Sequence, residues 1–192
     1  SARPSPVAEA LGRLLEHLLA LRALERAYSG IEPGLDPGSF ALRSLQMLDI
    51  TVDCNVIERE RIPGSGPLVV VANHPYGGID GIALTALLSA RRGDLRILAN
   101  EMLCRIPEFA PVVLPLDVFG GSRAVHRNLG ALRAARDWLE QGGAVLAFPA
   151  GEVSHLRPEL GGVADPPWQR TAGWLLRQVP AARALAVHVD GA

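Results

Sequence analysis

The chain has 192 residues, 48% of them hydrophobic and 20% charged, which suits one α/β domain with a buried core. Nineteen basic residues, all arginine, stand against twenty acidic ones, and the net charge of −1 supplies no global field for nucleic acid or anionic lipid. The complete absence of lysine excludes Schiff-base chemistry and lysine-dependent phosphate loops.

Residues 7–28 open the organised chain. Leu11, Leu14, Leu15, Leu18, Leu21 and Leu24 recur at helical intervals, with Arg13, Glu16, Arg22, Glu25 and Arg26 on the other side. Such a helix either packs its leucine face on the domain or lies in a bilayer interface, and the balanced charges of its polar face argue against the second. Gly30, Pro33, Gly34, Pro37 and Gly38 make 29–38 turn-rich, and a short helix is expected over 39–48. The expected organisation is an N-terminal helical segment, 1–48, followed by an α/β domain, 49–192.

From Asp49 the pattern turns to strand chemistry, and Ile50, Val52, Val56 and Ile57 predict a strand. Val69-Val70-Val71-Ala72 reads as a buried strand that stops at His74-Pro75, because proline cannot donate to a sheet ladder. Gly77 and Gly78 allow a reversal, and Asp80 opens a helical run over 81–90. Further strands are expected over 95–99, 111–116, 144–148 and 184–189. Helical segments are expected over 101–106, 123–141 and 168–178, with Gly142-Gly143 ending the second. A long glycine- and proline-rich loop precedes the last helix. Strands alternating with helices predict an α/β fold, a largely parallel sheet flanked by helices.

Cys54 and Cys104 lack metal-type spacing, so a reducing compartment is the default. No apolar run reaches the length needed to span a bilayer, and no signal-peptide pattern is present. His17, His126, His155 and His188 show no metal-ligand spacing and read as surface or structural histidines.

The candidate chemistry lies at the central strand's C-terminal edge, where ligands sit in open α/β sheets. His74 stands there with Asp80 six residues on. A carboxylate beside a histidine fixes its tautomer and supports the imidazolium formed when the ring takes a proton. Asp80 as a plain helix cap, and His74 as a satisfied strand-end histidine, fit the same spacing.

Asn73-His74 followed by Asp80 resembles the first motif of the glycerolipid acyltransferases of the lysophosphatidic acid acyltransferase type. It is closer to their haemolysin-like branch, which includes the O-acyltransferases of bacterial ornithine and glycine lipids. The broad family has four residues between histidine and aspartate, and here there are five, Pro75 to Ile79, as in that branch. Phe148-Pro149-Ala150-Gly151-Glu152-Val153-Ser154 stands where the third motif falls, with Ala150 in place of the family's glutamate and Glu152 two places on. Pro115-Leu116-Asp117-Val118 with Arg123 and Arg127 resembles the second motif, and Ala186-Val187-His188-Val189 the fourth without its proline. The resemblance covers about residues 49–191, and the family's chains usually run on past the fourth motif.

The resemblance implies an O-acyltransferase moving a fatty acyl group from acyl-CoA or acyl carrier protein to the hydroxyl of a lysophospholipid or lyso-aminolipid. His74 would be the general base and Asp80 its partner. Arg123 or Arg127, with Gly151, Glu152 and Ser154, would bind the acceptor headgroup. Guanidinium suits that task because its planar fork matches phosphate or carboxylate. Backbone N–H groups around Gly77 and Gly78 would face the oxyanion. No metal or redox cofactor is needed, no nucleic acid is expected, and the protein would sit on the cytoplasmic, inner face of the cell membrane. Two rivals are a thioester or lysolipid hydrolase using the same dyad and a non-catalytic membrane-lipid module. The Gly-x-Ser-x-Gly elbow of a serine hydrolase is absent.

Overall fold

The structure is a computed structural model that describes residues 28–117 and 122–191, with backbone alone for 122–127. The leucine-striped segment 7–28 lies outside the described residues except for Tyr28.

Helix α1 (Pro37–Met47) starts at Asp36, whose carboxylate accepts from the N–H groups of Gly38 and Ser39, while Pro37 occupies the first turn, where its missing N–H costs nothing. Helix α2 (Val56–Glu60) replaces the strand expected from Ile50 to Ile57. The reason is local: Asn55 accepts the Glu58 N–H at 2.9 Å and nucleates a turn, leaving Val56 and Ile57 exposed. Next come β1 (Leu68–Ala72), α3 (Gly78–Ser89) and β2 (Leu95–Asn100). A 3₁₀ turn (Glu101–Arg105) leads to β3 (Val113–Leu116) and the long helix α4 (Ser122–Glu140). Strand β4 (Ala144–Ala147) is followed by an antiparallel hairpin, β5 (His155–Arg157) and β6 (Gly162–Ala164), inside the stretch expected to be plain loop. Helix α5 (Thr171–Gln178) and strand β7 (Arg183–Val187) complete the order, and Trp168 falls before α5 rather than in it.

The main sheet has five strands in the order β3-β2-β4-β1-β7, all parallel. Alternation along β1 divides the core in two. Leu68, Val70 and Ala72 face α3 with its Leu84 and Leu88, whereas Val69 meets Ala135 and Leu139 of α4 and Leu175 of α5. A strand covered on both faces carries an unbroken apolar run, which is why β1 and β4 are so plain in the sequence. Helix α1 adds an outer layer, with Phe40 and Ala41 packing towards Ile82 and Ala86 of α3. Residues 37–47 thus pack against the α/β layers in a cluster of their own with Phe109 and Val113.

The topology positions the site. From β1 the chain runs through α3 on one face towards β2, and from β4 it runs through α5 on the other face towards β7. The adjacent C-terminal ends of β1 and β4 therefore mark the switch point where open α/β sheets place their ligands.

The opposite end of the sheet is tied by Arg92, which is buried. Its guanidinium forks onto both Asp94 carboxylate oxygens at 2.8 Å and donates to the carbonyls of Pro63, Gly66 and Gly142. Hydrogen bonding from Arg92 holds the Asp94 carboxyl below its ordinary range. That contribution is present above the usual carboxylate pKa and is lost as pH falls through the depressed one. Removing the fork leaves three part-buried carbonyls without this donor. Arg92→Ala should lower the unfolding free energy by about 2–4 kcal/mol, read from the shift of a urea midpoint at unchanged slope.

Candidate active site

The loop from β1 to α3 is built around one buried carboxylate. Asp80 has no exposed surface, and it lies in the first turn of α3 rather than capping it. Its Oδ2 accepts the Tyr76 N–H at 2.9 Å and meets His74 Nδ1 at 2.9 Å. The Asp80 N–H in turn donates to the Gly77 carbonyl. The carboxylate thus satisfies a backbone donor that precedes the helix, in the manner of an acidic residue at N3, and orients the imidazole as well. The helix-cap reading of Asp80 does not hold, because Gly77 occupies the cap position; the oxygen that meets His74 instead also serves the Tyr76 N–H ahead of the helix.

Burial pushes the Asp80 carboxyl above its ordinary range, against the Tyr76 N–H and His74, which favour the ionised form. A carboxyl raised in the folded state binds more protons there than in the unfolded chain. Stability therefore falls as pH rises from the ordinary carboxylate pKa through the raised one. Ionising Asp80 is thus a cost to the fold.

His74 has 17% of its side chain exposed, and its ring stacks on Phe148 at a centroid distance of 4.1 Å. Phe148 follows β4, so the stacking joins the two adjacent strand ends. With Nδ1–H donating to Asp80, Nε2 carries the lone pair and can take a proton. Asn73 has a different task. Its amide donates to the Val189 carbonyl and accepts the Val189 N–H, at 2.7 and 2.6 Å, extending the β1–β7 pairing by a side chain.

The third-motif stretch lies against this loop. The Ser154 N–H donates to the His74 carbonyl at 2.9 Å, and the Ser154 hydroxyl donates to Asp165. Gly151 has φ +77° and the Gln169 amide lies where a Cβ would sit, so glycine is required there. Glu152 is exposed. Arg123 and Arg127 are on the first turns of α4, but their side chains lie outside the described residues. Asn128 of the same helix clasps the Asp117 backbone from both sides, fixing the end of β3.

The sequence reading missed Asp165. Its Oδ1 accepts the His74 N–H at 3.1 Å as well as the Ser154 hydroxyl, and its Oδ2 accepts the Trp168 indole N–H at 2.8 Å. Burial raises its carboxyl, but the bonds from Ser154, Trp168 and His74 outweigh this and hold it below the ordinary range. The local signal was faint: an acid ahead of Pro166-Pro167-Trp168, with an indole donor three residues on.

A groove of about 720 Å³ reaches Asp80 of the dyad, while His74 is not part of its lining. Leu84, Leu87 and Leu88 of α3, Leu185 and Val187 of β7, and Ile62 line it, and it reaches Tyr76 as well. Among the described residues no cluster of His, Cys, Asp and Glu could hold a metal ion.

Of the glycine pair, Gly77 alone needs to be glycine. Its φ of +64° and ψ of −126° suit no other residue, and a Cβ there would stand 3.2 Å from Val153 Cγ2. Gly78 has ordinary geometry and open space around it. Gly77→Ala should cost about 1–3 kcal/mol of stability, whereas Gly78→Ala should be neutral or slightly stabilising, as denaturant titration of the two variants would show.

Comparison with known proteins bears on this arrangement. A lyso-glycine lipid O-acyltransferase of Phocaeicola vulgatus is 30% identical over 128 residues, which cover 66% of this chain and 43% of that protein. A second protein of that name, from Bacteroides thetaiotaomicron, is 28% identical over 149 residues, 77% of this chain and 51% of the relative. The chain thus spans about half the length of these curated relatives. The family model described as acyltransferase matches residues 32–191, a range that takes in α1, the whole parallel sheet and both strand ends bearing His74 and Phe148. By that match the chain belongs to the acyltransferase family.

Proposed function

We propose that the chain performs O-acyl transfer, moving a fatty acyl group from an acyl thioester to a hydroxyl of a lyso-lipid. The observation that carries this reading is the 2.9 Å contact between His74 Nδ1 and the buried Asp80 carboxylate, at a strand-end switch point. His74 Nε2 takes the proton from the acceptor hydroxyl as its oxygen attacks the thioester carbonyl carbon. Asp80 fixes the tautomer and stabilises the imidazolium. The C–S bond then breaks, the ester forms, and the departing thiolate reclaims the proton from His74. The Gly78 N–H, at the positive end of α3, is the proposed donor to the tetrahedral oxyanion, since the Gly77 N–H lies against the Asp80 carboxylate.

The relatives' activity as lyso-glycine lipid O-acyltransferases, as their names give it, favours a lyso-aminolipid acceptor, with a lysophospholipid the nearest alternative. Acyl-CoA or acyl carrier protein is the proposed donor, without a metal or redox cofactor. The groove beside Asp80 is the proposed seat of the acyl chain, since Leu84, Leu87, Leu88, Leu185 and Val187 give a hydrocarbon tail an apolar wall, with Asp53, Glu58, Arg61 and Asp190 as its polar margin. Headgroup recognition is assigned to Arg123 or Arg127 together with Gly151, Glu152 and Ser154. Among the described residues no helix is long and apolar enough to cross a membrane. A bilayer-resident acceptor supports work at the membrane surface, on the inner face of the cell membrane.

The test is incubation with labelled acyl-CoA or acyl carrier protein and a panel of lyso-lipids. New diacyl lipid is the expected product. Free fatty acid alone would make the protein a hydrolase, and neither product would leave a non-catalytic lipid module. His74→Ala should lower turnover by about 10²–10⁴-fold in folded protein. Asp80→Asn should also lose turnover steeply, yet melt at the same or a higher temperature, because it removes a buried charge while keeping an acceptor for the Tyr76 N–H. A rate near wild type in that variant would reduce Asp80 to a helix-start residue. Ala83→Trp, which narrows the groove, should shift donor preference towards shorter acyl chains; an unchanged chain-length profile would move the tail elsewhere.

A further inference from the structure

His74 is held twice over. Its ring is fixed by Asp80 and Phe148, and its peptide group is fixed by the segment that follows β4. The Ser154 N–H reaches the His74 carbonyl, and Asp165 Oδ1 accepts the His74 N–H. Ser154 and Asp165 flank the β5–β6 hairpin, and the Ser154 hydroxyl closes its base by donating to the same Asp165 oxygen. On the other side Asp165 Oδ2 takes the Trp168 indole N–H, and the Asp165 carbonyl accepts from Arg157. One carboxylate therefore ties the hairpin, the approach to α5 and the histidine peptide together.

We propose that Asp165 is a positioning residue for the acyl-transfer reaction, setting the place and tilt of the His74 imidazole by fixing the peptide group from which it extends. The inference rests on the acyl-transfer reading of the dyad. The physical case is one of leverage. The ring is two bonds from Cα, and general-base transfer needs the acceptor hydroxyl within hydrogen-bond reach of Nε2. A misplacement of about 1 Å costs on the order of 10²-fold in rate. Asp80 holds one ring nitrogen and Phe148 one ring face, but neither sets the place of the Cα from which the ring extends. Asp165 and Ser154 set it from the backbone side.

The two oxygens of Asp165 make the arms separable. Asp165→Asn retains one oxygen, enough for the His74 N–H and the Ser154 hydroxyl, and gives up the Trp168 bond. Trp168→Phe gives up the same bond from its other end. Asp165→Ala gives up every side-chain arm, and Asp165→Glu keeps the charge but moves the acceptor by a methylene, which provides a displaced variant should alanine fail to fold. Steady-state acyl transfer and melting temperature are measured on all four. Expected are a fall in kcat of roughly tenfold or more for Asp165→Ala and Asp165→Glu with little change in KM, and near wild-type kcat for Asp165→Asn and Trp168→Phe even where they melt earlier. Rates that simply follow melting temperature across the set, or losses confined to KM, would overturn the proposal.

A second readout does not depend on turnover. In protein labelled with ¹⁵N-histidine, the His74 Nδ1–H resonance, assigned by its loss in His74→Ala, should weaken or shift in Asp165→Ala and Asp165→Glu and persist in Asp165→Asn. An unchanged resonance in the displaced variants would refute the positioning role. Wild-type protein that transfers no acyl group would refute the acyl-transfer reading separately, leaving this resonance to decide the case of Asp165.

Discussion

A carboxylate with no exposed surface is compensated here through one oxygen only, Oδ2, while Oδ1 stays buried without a hydrogen-bond partner among the described residues. The loop between β1 and α3 takes its shape from that arrangement. Asp80 gathers the Tyr76 N–H and the His74 ring, and the chain must turn sharply to bring both to one oxygen. Gly77 makes the turn, in a conformation open to no other residue. The cost of burying the charge and the orientation of the imidazole are two sides of one arrangement. A solvated aspartate would be cheaper, but it would leave the ring free to swing.

The frame around that loop serves the same end. Parallel neighbours β1 and β4 bring His74 over Phe148, and their exits to opposite faces open the space in which a substrate would lie. Asparagine recurs as a backbone substitute at strand ends. Asn73 pairs with Val189, and Asn128 pairs with Asp117, each as donor and acceptor. Where the ladder runs out, a side-chain amide carries it one step further, and the loops bearing the chemistry start from fixed points.

How much of this was legible depended on range. The parallel sheet could be read because strands covered on both faces leave continuous apolar runs, and α4 because Leu132, Ala135 and Leu139 repeat at helical spacing over about two turns. His74 and Asp80 could be read as a pair because only five residues separate them. Val56 and Ile57 were misleading: their β-branched character lost to the cap that Asn55 supplies. The hairpin escaped because three-residue strands hold too little alternation to stand out. Asp165 lies far along the chain from His74, and no local pattern announces a carboxylate whose partners come from three segments. Arg123 and Arg127 could be named as alternatives, and their side chains stay outside the described residues.

The strand order also governs when the site can come into being. β4 lies between β1 and β2, although it is made after both of them and after β3. A growing chain that has produced only the first three strands holds the β2–β3 pair and a separate β1, with an open slot between them. Helix α3 can cover one face of that unfinished sheet, but the gap stays until the segment from Ala144 to Ala147 enters. Loop-closure entropy of long range has to be met at that step, because β4 pairs with strands made well before it. Phe148 arrives in the same movement, immediately after the inserted strand. The histidine's resting surface is therefore delivered by the piece that closes the sheet, so a chain with an unclosed sheet has no assembled site.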